Sequence, residues 1–123
     1  MSVHTPQVTL FASAARTATP AAAEFDAGGH HGLHLVIDVT AVTATPSVVP
    51  SIDFHDNLSG KWCNLLTGAA ITATGTTVLK IYPGIAAVAN AAAPDCIHGR
   101  MRLALTHGDS DSATYSAAVH LIG

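Results

Sequence analysis

Apolar side chains recur at every second position through much of this chain, most clearly in LHLVIDVTAV, residues 33–42. Leu33, Leu35, Ile37 and Val39 fall on one face there, and His34, Val36, Asp38 and Thr40 on the other. A period of two marks a β-strand, because successive side chains point to opposite sides of a pleated backbone. The first set is therefore expected in the core and the second at least half wet. Residues 7–19, QVTLFASAARTAT, alternate more weakly, with Val8, Leu10, Ala12 and Ala14 against Thr9, Phe11, Ser13 and Ala15, and predict an opening strand. Pro20 and the short alanine run after it end that strand, since so short a run behind a proline cannot offset helix nucleation. A short extended piece over 24–27 follows.

Turn residues punctuate the rest. Gly28, Gly29 and Gly32 flank His30 and His31 ahead of the strand over 33–42. Residues 48–55 resume the alternation with Val48, Ile52 and Phe54, and Pro50, lacking an N–H for a ladder, predicts an edge strand or a bulge. DNLSG, 56–60, reads as a loop, and KWCNLL, 61–66, as a strand carrying the only tryptophan. Residues 70–74 and 76–82 predict a hairpin or one strand bent at Gly75. The alanine- and proline-rich passage 83–94 reads as a long connection, and 100–106 and 113–122 as strands joined by HGDSDS, a loop of hairpin length. Some seven to nine short strands, with turn signals every eight to twelve residues or so and no helical period, predict an all-β fold: a single-domain antiparallel β-sandwich or jelly-roll-like domain. That domain spans 7–123, and residues 1–6 form a flexible N-terminal arm.

Composition narrows the function. A chain of 123 residues has room for one domain, and 49% hydrophobic against 11% charged residues sets it apart from disordered sequences. Three residues in ten are Ala or Thr and only 5% are aromatic, so the core must be built from small and β-branched side chains. A surface this short of charge suits contact with other protein. Five Lys and Arg against eight Asp and Glu give a net charge of −3, without the cation clusters that phosphate binding draws on, so no nucleic acid partner is expected. No apolar run nears the roughly 20 residues of a membrane span, and MSVHTPQVTL has no basic-then-apolar leader pattern. No membrane partner is expected, and synthesis in a reducing cytoplasm is. Cys63 and Cys96 stand in no CxxC relation, and their spacing leaves pairing open.

Candidate chemistry is sparse. Eight histidines include the close set His30, His31 and His34, for which Cys63, Cys96 or His98 are the distant residues able to complete a zinc site. Adjacent His30 and His31 point to opposite sides of an extended chain, so a His-rich polar turn is the better reading and no metal is expected. Asp95-Cys96-Ile97-His98 brings the residue types of nucleophilic catalysis into one segment but lacks the glycine-flanked nucleophile turn. Asp53 and Asp56 suggest paired carboxylates only by proximity. Asp109 and Asp111 lack the spacing and closing Glu of a calcium loop, and no phosphate-cradling glycine motif is present. No catalytic residue and no cofactor is therefore expected. Trp62, Tyr82 and Tyr115 lie on three predicted strands, where filling gaps in an alanine-rich core is the plainer role. Trp62, following a polar loop, is the first choice for a contact residue, and an exposed Trp62 or Tyr82 is what a carbohydrate-binding β-sandwich module needs.

Four stretches stand out together: ASAARTAT at 12–19, LHLVIDVTAV at 33–42, TGTTVLKIYPG at 74–84, and RMRLALTHGDSDSATYSAAVHLI at 100–122. They resemble small structural proteins of the head and tail regions of tailed bacteriophages and prophages, over most of the chain after residue 11. The passage 85–94 is longer here than in that pattern, and the His30-His31 turn is unusual in it. The resemblance implies a non-enzymatic virion component: first a capsid decoration (cement) protein that binds and stabilises the lattice of a major capsid protein, second a neck or tail component. It places the protein at the capsid surface after synthesis in the host cytoplasm. Homo-oligomers are expected, with trimers at symmetry axes one arrangement. A polar arm suits hydrogen bonding to another chain's sheet edge, so Val3 and His4 join Trp62 and Tyr82 as expected partner contacts.

Overall fold

Nine strands form in the computed structural model, which describes residues 7–97 and 99–123. The arm over 1–6, with Val3 and His4 on it, lies outside the described residues, as does His98. The strands are β1 (Gln7–Arg16), β2 (Ala23–Asp26), β3 (Gly32–Val42), β4 (Val48–Asp56), β5 (Lys61–Thr67), β6 (Gly75–Ile81), β7 (Ala92–Ala93), β8 (Arg100–His107) and β9 (Ala113–Ile122). They make a five-stranded sheet ordered β1-β9-β3-β6-β7 and a four-stranded sheet ordered β2-β8-β4-β5. Every pairing is antiparallel except that of β6 with the two-residue β7. The fold is the all-β sandwich that the alternation predicts, and the described residues contain no helix long and apolar enough to cross a membrane.

The core is the seam between the two inner faces. Leu33, Leu35, Ile37 and Val39 of β3 are buried, as are Tyr115, Ala117, Val119 and Leu121 of β9. Opposite them lie Val48, Ile52, Met101, Leu103 and Leu105 of the smaller sheet. Each fully buried Leu, Ile, Val or Met side chain contributes about 1.5–3 kcal/mol by leaving water.

β1 departs from its predicted alternation. Val8 lies opposite Val119 and Phe11 opposite Ala117, so register shifts between Thr9 and Phe11, and again between Phe11 and Ala14, break the period of two. An extra residue in one strand of an antiparallel pair makes such a bulge, and here it turns Phe11 into the core against the edge of Tyr115. Arg16 secures the bulged half, donating to the carbonyls of Ala12 (2.7 Å), Ala14 (3.2 Å) and Tyr115 (2.8 Å).

Three further expectations are corrected. β4 is an interior strand, not an edge, despite Pro50. The Pro50 carbonyl accepts from Gly68 N at 2.8 Å, just past the end of β5, and its donorless nitrogen faces the same way, so no bond to β8 is lost. The nearby irregularity sits in β5, where Leu65 is the extra residue between the Asp53–Asn64 and Ile52–Leu66 pairs. β8 and β9 are not a hairpin, because they belong to opposite sheets and HGDSDS carries the chain across the sandwich. Residues 70–74 give neither hairpin arm nor bent strand, since only Ile71 bridges, to Val48, and β6 begins at Gly75. The long connection over 83–94 also holds β7, which extends the larger sheet beside β6.

Candidate functional site

β4 and β5 form a hairpin closed by Asn57 to Gly60, and its base is built by one carboxylate. Asp56 accepts from the Ser59 hydroxyl at 2.6 Å and from the backbone N–H groups of Leu58 and Ser59, both at 3.3 Å, while its own carbonyl accepts from Gly60 N at 2.9 Å. The Ser59 hydroxyl bond, then the two backbone bonds, hold the Asp56 carboxyl below the usual carboxylate range. The turn thus presents Leu58 at 97% exposure on a fixed backbone.

Just inside the turn, His55 and Trp62 are opposite one another in register, with ring centroids 4.9 Å apart at 66°. Trp62 shares the outer face of the sheet with Asn64, and β8 supplies Arg100 and Arg102 to that face. The guanidinium carbons of Arg102 and Arg100 lie 4.5 and 5.2 Å from the Trp62 ring centroid, within cation–π range. Each arginine is aimed by an acid bound to its Nε–H: Arg102 by Asp53 at 3.0 Å, and Arg100 by Glu24 of β2. The Arg100 hydrogen bond lowers the Glu24 pKa, and the same bond raises that of Arg100. Asp53, the one buried charged residue among those described, also accepts from Ser51 Oγ and Asn64 Nδ2, both at 3.0 Å. An open hollow of about 480 Å³ is lined by Glu24, Phe25 and Asp26 of β2 and by Arg100 of β8.

Of the contact residues named from sequence, Trp62 stands in this cluster. Tyr82 stands apart, 36% exposed where β6 ends, its ring against Gly32. Tyr115 is the core filler expected of it, with its hydroxyl 2.9 Å from His107 Nε2. The sequence singled out neither arginine nor Leu58. Arg100 and Arg102 are two apart on a strand and so share a face, which was the available signal. That this face is also Trp62's depends on β4 lying between β8 and β5.

The structure gives the remaining candidates separate tasks. Asp53 pairs with Arg102 while Asp56 builds a turn. Asp109 accepts from Asp111 N at 3.1 Å, and Asp111 from Thr45 N at 3.2 Å, so both shape the crossover loop. Asp95 caps Cys96 N at 2.8 Å; Cys96 is exposed, Cys63 is half-buried on β5, and both are free thiols. His34 lies between His120 and Lys80 on the outer face of the larger sheet, and burial first, then Lys80 and His120, pushes its pKa down. Among the described residues no three His, Cys, Asp or Glu side chains are grouped to hold a metal ion.

No family model matches this chain, and no curated protein matches it. Among solved structures, the structure of infectious bursal disease virus Gx strain aligns with 99% of this chain and 29% of that one, at 14% identity and a TM-score of 0.34. The chain therefore spans under a third of that protein's length, a likeness too loose to assign it to a family.

Proposed function

We propose that this protein is a non-enzymatic structural component of a tailed-phage virion, a decoration protein that binds and stabilises the lattice of a major capsid protein. The observation carrying this reading is the outer face at Trp62, where one aromatic ring, two stacked arginines and a displayed leucine share a rigid sheet and turn. Tryptophan and arginine dominate the binding energy of protein interfaces, and a stiff backbone lowers the ordering cost of using them. Many copies on a lattice need only modest affinity each, because neighbouring contacts raise the effective concentration. Homo-oligomers, trimers among them, belong to the same reading.

The carbohydrate-binding alternative is disfavoured by the same geometry, since the Trp62 ring that would stack on a sugar already carries two guanidinium groups and the His55 edge. The neck or tail alternative differs in copy number. The test is a shell assembled with this reading frame deleted, heated beside a complete one. The deleted shell should come apart at lower temperature and regain stability when purified protein is added, bound in numbers that follow the lattice subunits. Shells of equal stability, with the protein missing from complete particles, would refute the proposal.

A further inference from the structure

The outer face of the larger sheet, turned away from Trp62, is laid out in rows that run across β9, β3 and β6. Their registers align His120, His34 and Lys80 in a first row and Ala118, Val36 and Val78 in a second. Ser116, Asp38 and Thr76 make the third. Charge and size both reverse across the middle row. On one side stand three long basic side chains; on the other stand short ones, with the one carboxylate of the grid. Among the described residues none of Lys80, His34, His120 and Asp38 is in an ion pair, and Asp38 accepts only from the Thr76 hydroxyl, at 3.3 Å. Burial, then Lys80, then His120 depress the His34 pKa, so a carboxylate facing that ring would oppose all three. Val78 is left 40% exposed in the middle row. At the β1 end lies a hollow of about 310 Å³, with Gln7 and His120 on one side of it and Ser13 and Ser116 on the other.

A face whose halves are opposite in charge and size about its own midline is complementary to a second copy of itself. A two-fold axis along the middle row sets Val78 against Val78 of the second copy and His34 over its Asp38, and makes the same His34–Asp38 contact again in the other direction. A neutral imidazole also donates an N–H, so the contact does not require a charged histidine. Lys80 comes over Thr76 of the second copy, beside the same carboxylate, and His120 comes over Ser116, where the hollow gives its ring room. At strand spacings of about 4.8 Å and about 3.4 Å per residue, the face offers roughly 600 Å², the lower end of what each partner of a specific pair buries.

We propose that two copies of this chain pair face to face through the outer side of the larger sheet, about a two-fold axis along the Ala118–Val36–Val78 row, with His34 of each copy on Asp38 of the other. The pairing stands apart from the capsid reading and leaves the Trp62 face outward on both copies. Sedimentation of the full protein at rising micromolar concentration, near neutral pH, should show a monomer–dimer equilibrium. Val78→Lys sets like charges against each other at the axis and should weaken the dimer by about tenfold or more. Asp38→Lys and His34→Asp should each do the same alone, with circular dichroism and the thermal midpoint checking that every variant folds. Mixed in equal amounts, those two variants should pair at concentrations where each by itself is monomeric, because one contact regains opposite charges and the other is native. A wild-type protein that stays monomeric or assembles as a trimer, a dimer that Val78→Lys and Asp38→Lys leave unchanged, or a mixture that does not pair would overturn the proposal.

Discussion

Removing Arg102 should destabilise the protein through the carboxylate it leaves behind. Cutting one partner from a buried ion pair costs about 3–5 kcal/mol, because the remaining charge is uncompensated. Two features reduce that here. The Arg102 side chain is 30% exposed while that of Asp53 is 9% exposed, so the cation already gains part of its hydration. Asp53 also keeps the Ser51 hydroxyl and the Asn64 amide. Halving the range gives about 2 kcal/mol for Arg102→Ala. In urea, with a slope of about 1.5 kcal/mol/M for a domain this size, the midpoint should fall by about 1.3 M. Trp62 fluorescence follows both the stacking and the unfolding. The sign of the second step is the sharper test. Adding Asp53→Ala to Arg102→Ala removes the stranded charge and should return about 1 kcal/mol, so the double variant is more stable than the single. A single variant within about 0.5 kcal/mol of wild type, or a double variant less stable than the single, would refute the reasoning.

Burial first, then Arg16, depresses the His107 pKa, with Asp109 opposing them, and one ring nitrogen, Nδ1, is buried without a partner. A histidine with a folded pKa below its unfolded value supports the fold above the unfolded pKa and loses that support as pH falls through the folded one. Acid titration of unfolding midpoints should therefore show a descent below about pH 6.5 that flattens in His107→Gln. Gly32→Ala would put a methyl group 2.6 Å from the Ile81 carbonyl oxygen and into the Tyr82 ring, and should cost about 2 kcal/mol by thermal denaturation. Iodoacetamide should label exposed Cys96 well before half-buried Cys63, as peptide mapping over time would record, and equal rates would contradict the placement of β5.

What the sequence made legible follows from where one face is buried and one is wet. β3 was readable to within a residue because its inner set is uniformly apolar and β6, with β9 as far as Val39, holds it in regular register. β1 was less so, since its bulges move Phe11 onto the core face and a fixed period has no term for an inserted residue. The β8 and β9 patterns are equally compatible with neighbours in one sheet or with strands facing across a core, and only the packing decides. Ala92 and Ala93 carry no alternation at all, and β7 exists because their backbone meets β6. The same limit governs the site: Trp62 was legible as a contact residue, whereas its arginines come from a strand about forty residues on, brought over it by β4.

The position of β9 sets the order in which this molecule is made. It is the last strand synthesised of the nine, yet it lies in the middle of its sheet, bonded to β1 on one side and β3 on the other. Gln7, synthesised before His120, has no ladder partner in β9 until that residue is available. The smaller sheet and the β3–β6 ladder can form ahead of it, but the part of the seam that Tyr115, Ala117, Val119 and Leu121 fill stays open to chaperones and to neighbouring chains until translation passes that point. Folding is thus a late, concerted closure, slow for a chain of this length, and a ribosome stalled before β9 holds a product with nowhere to put β1.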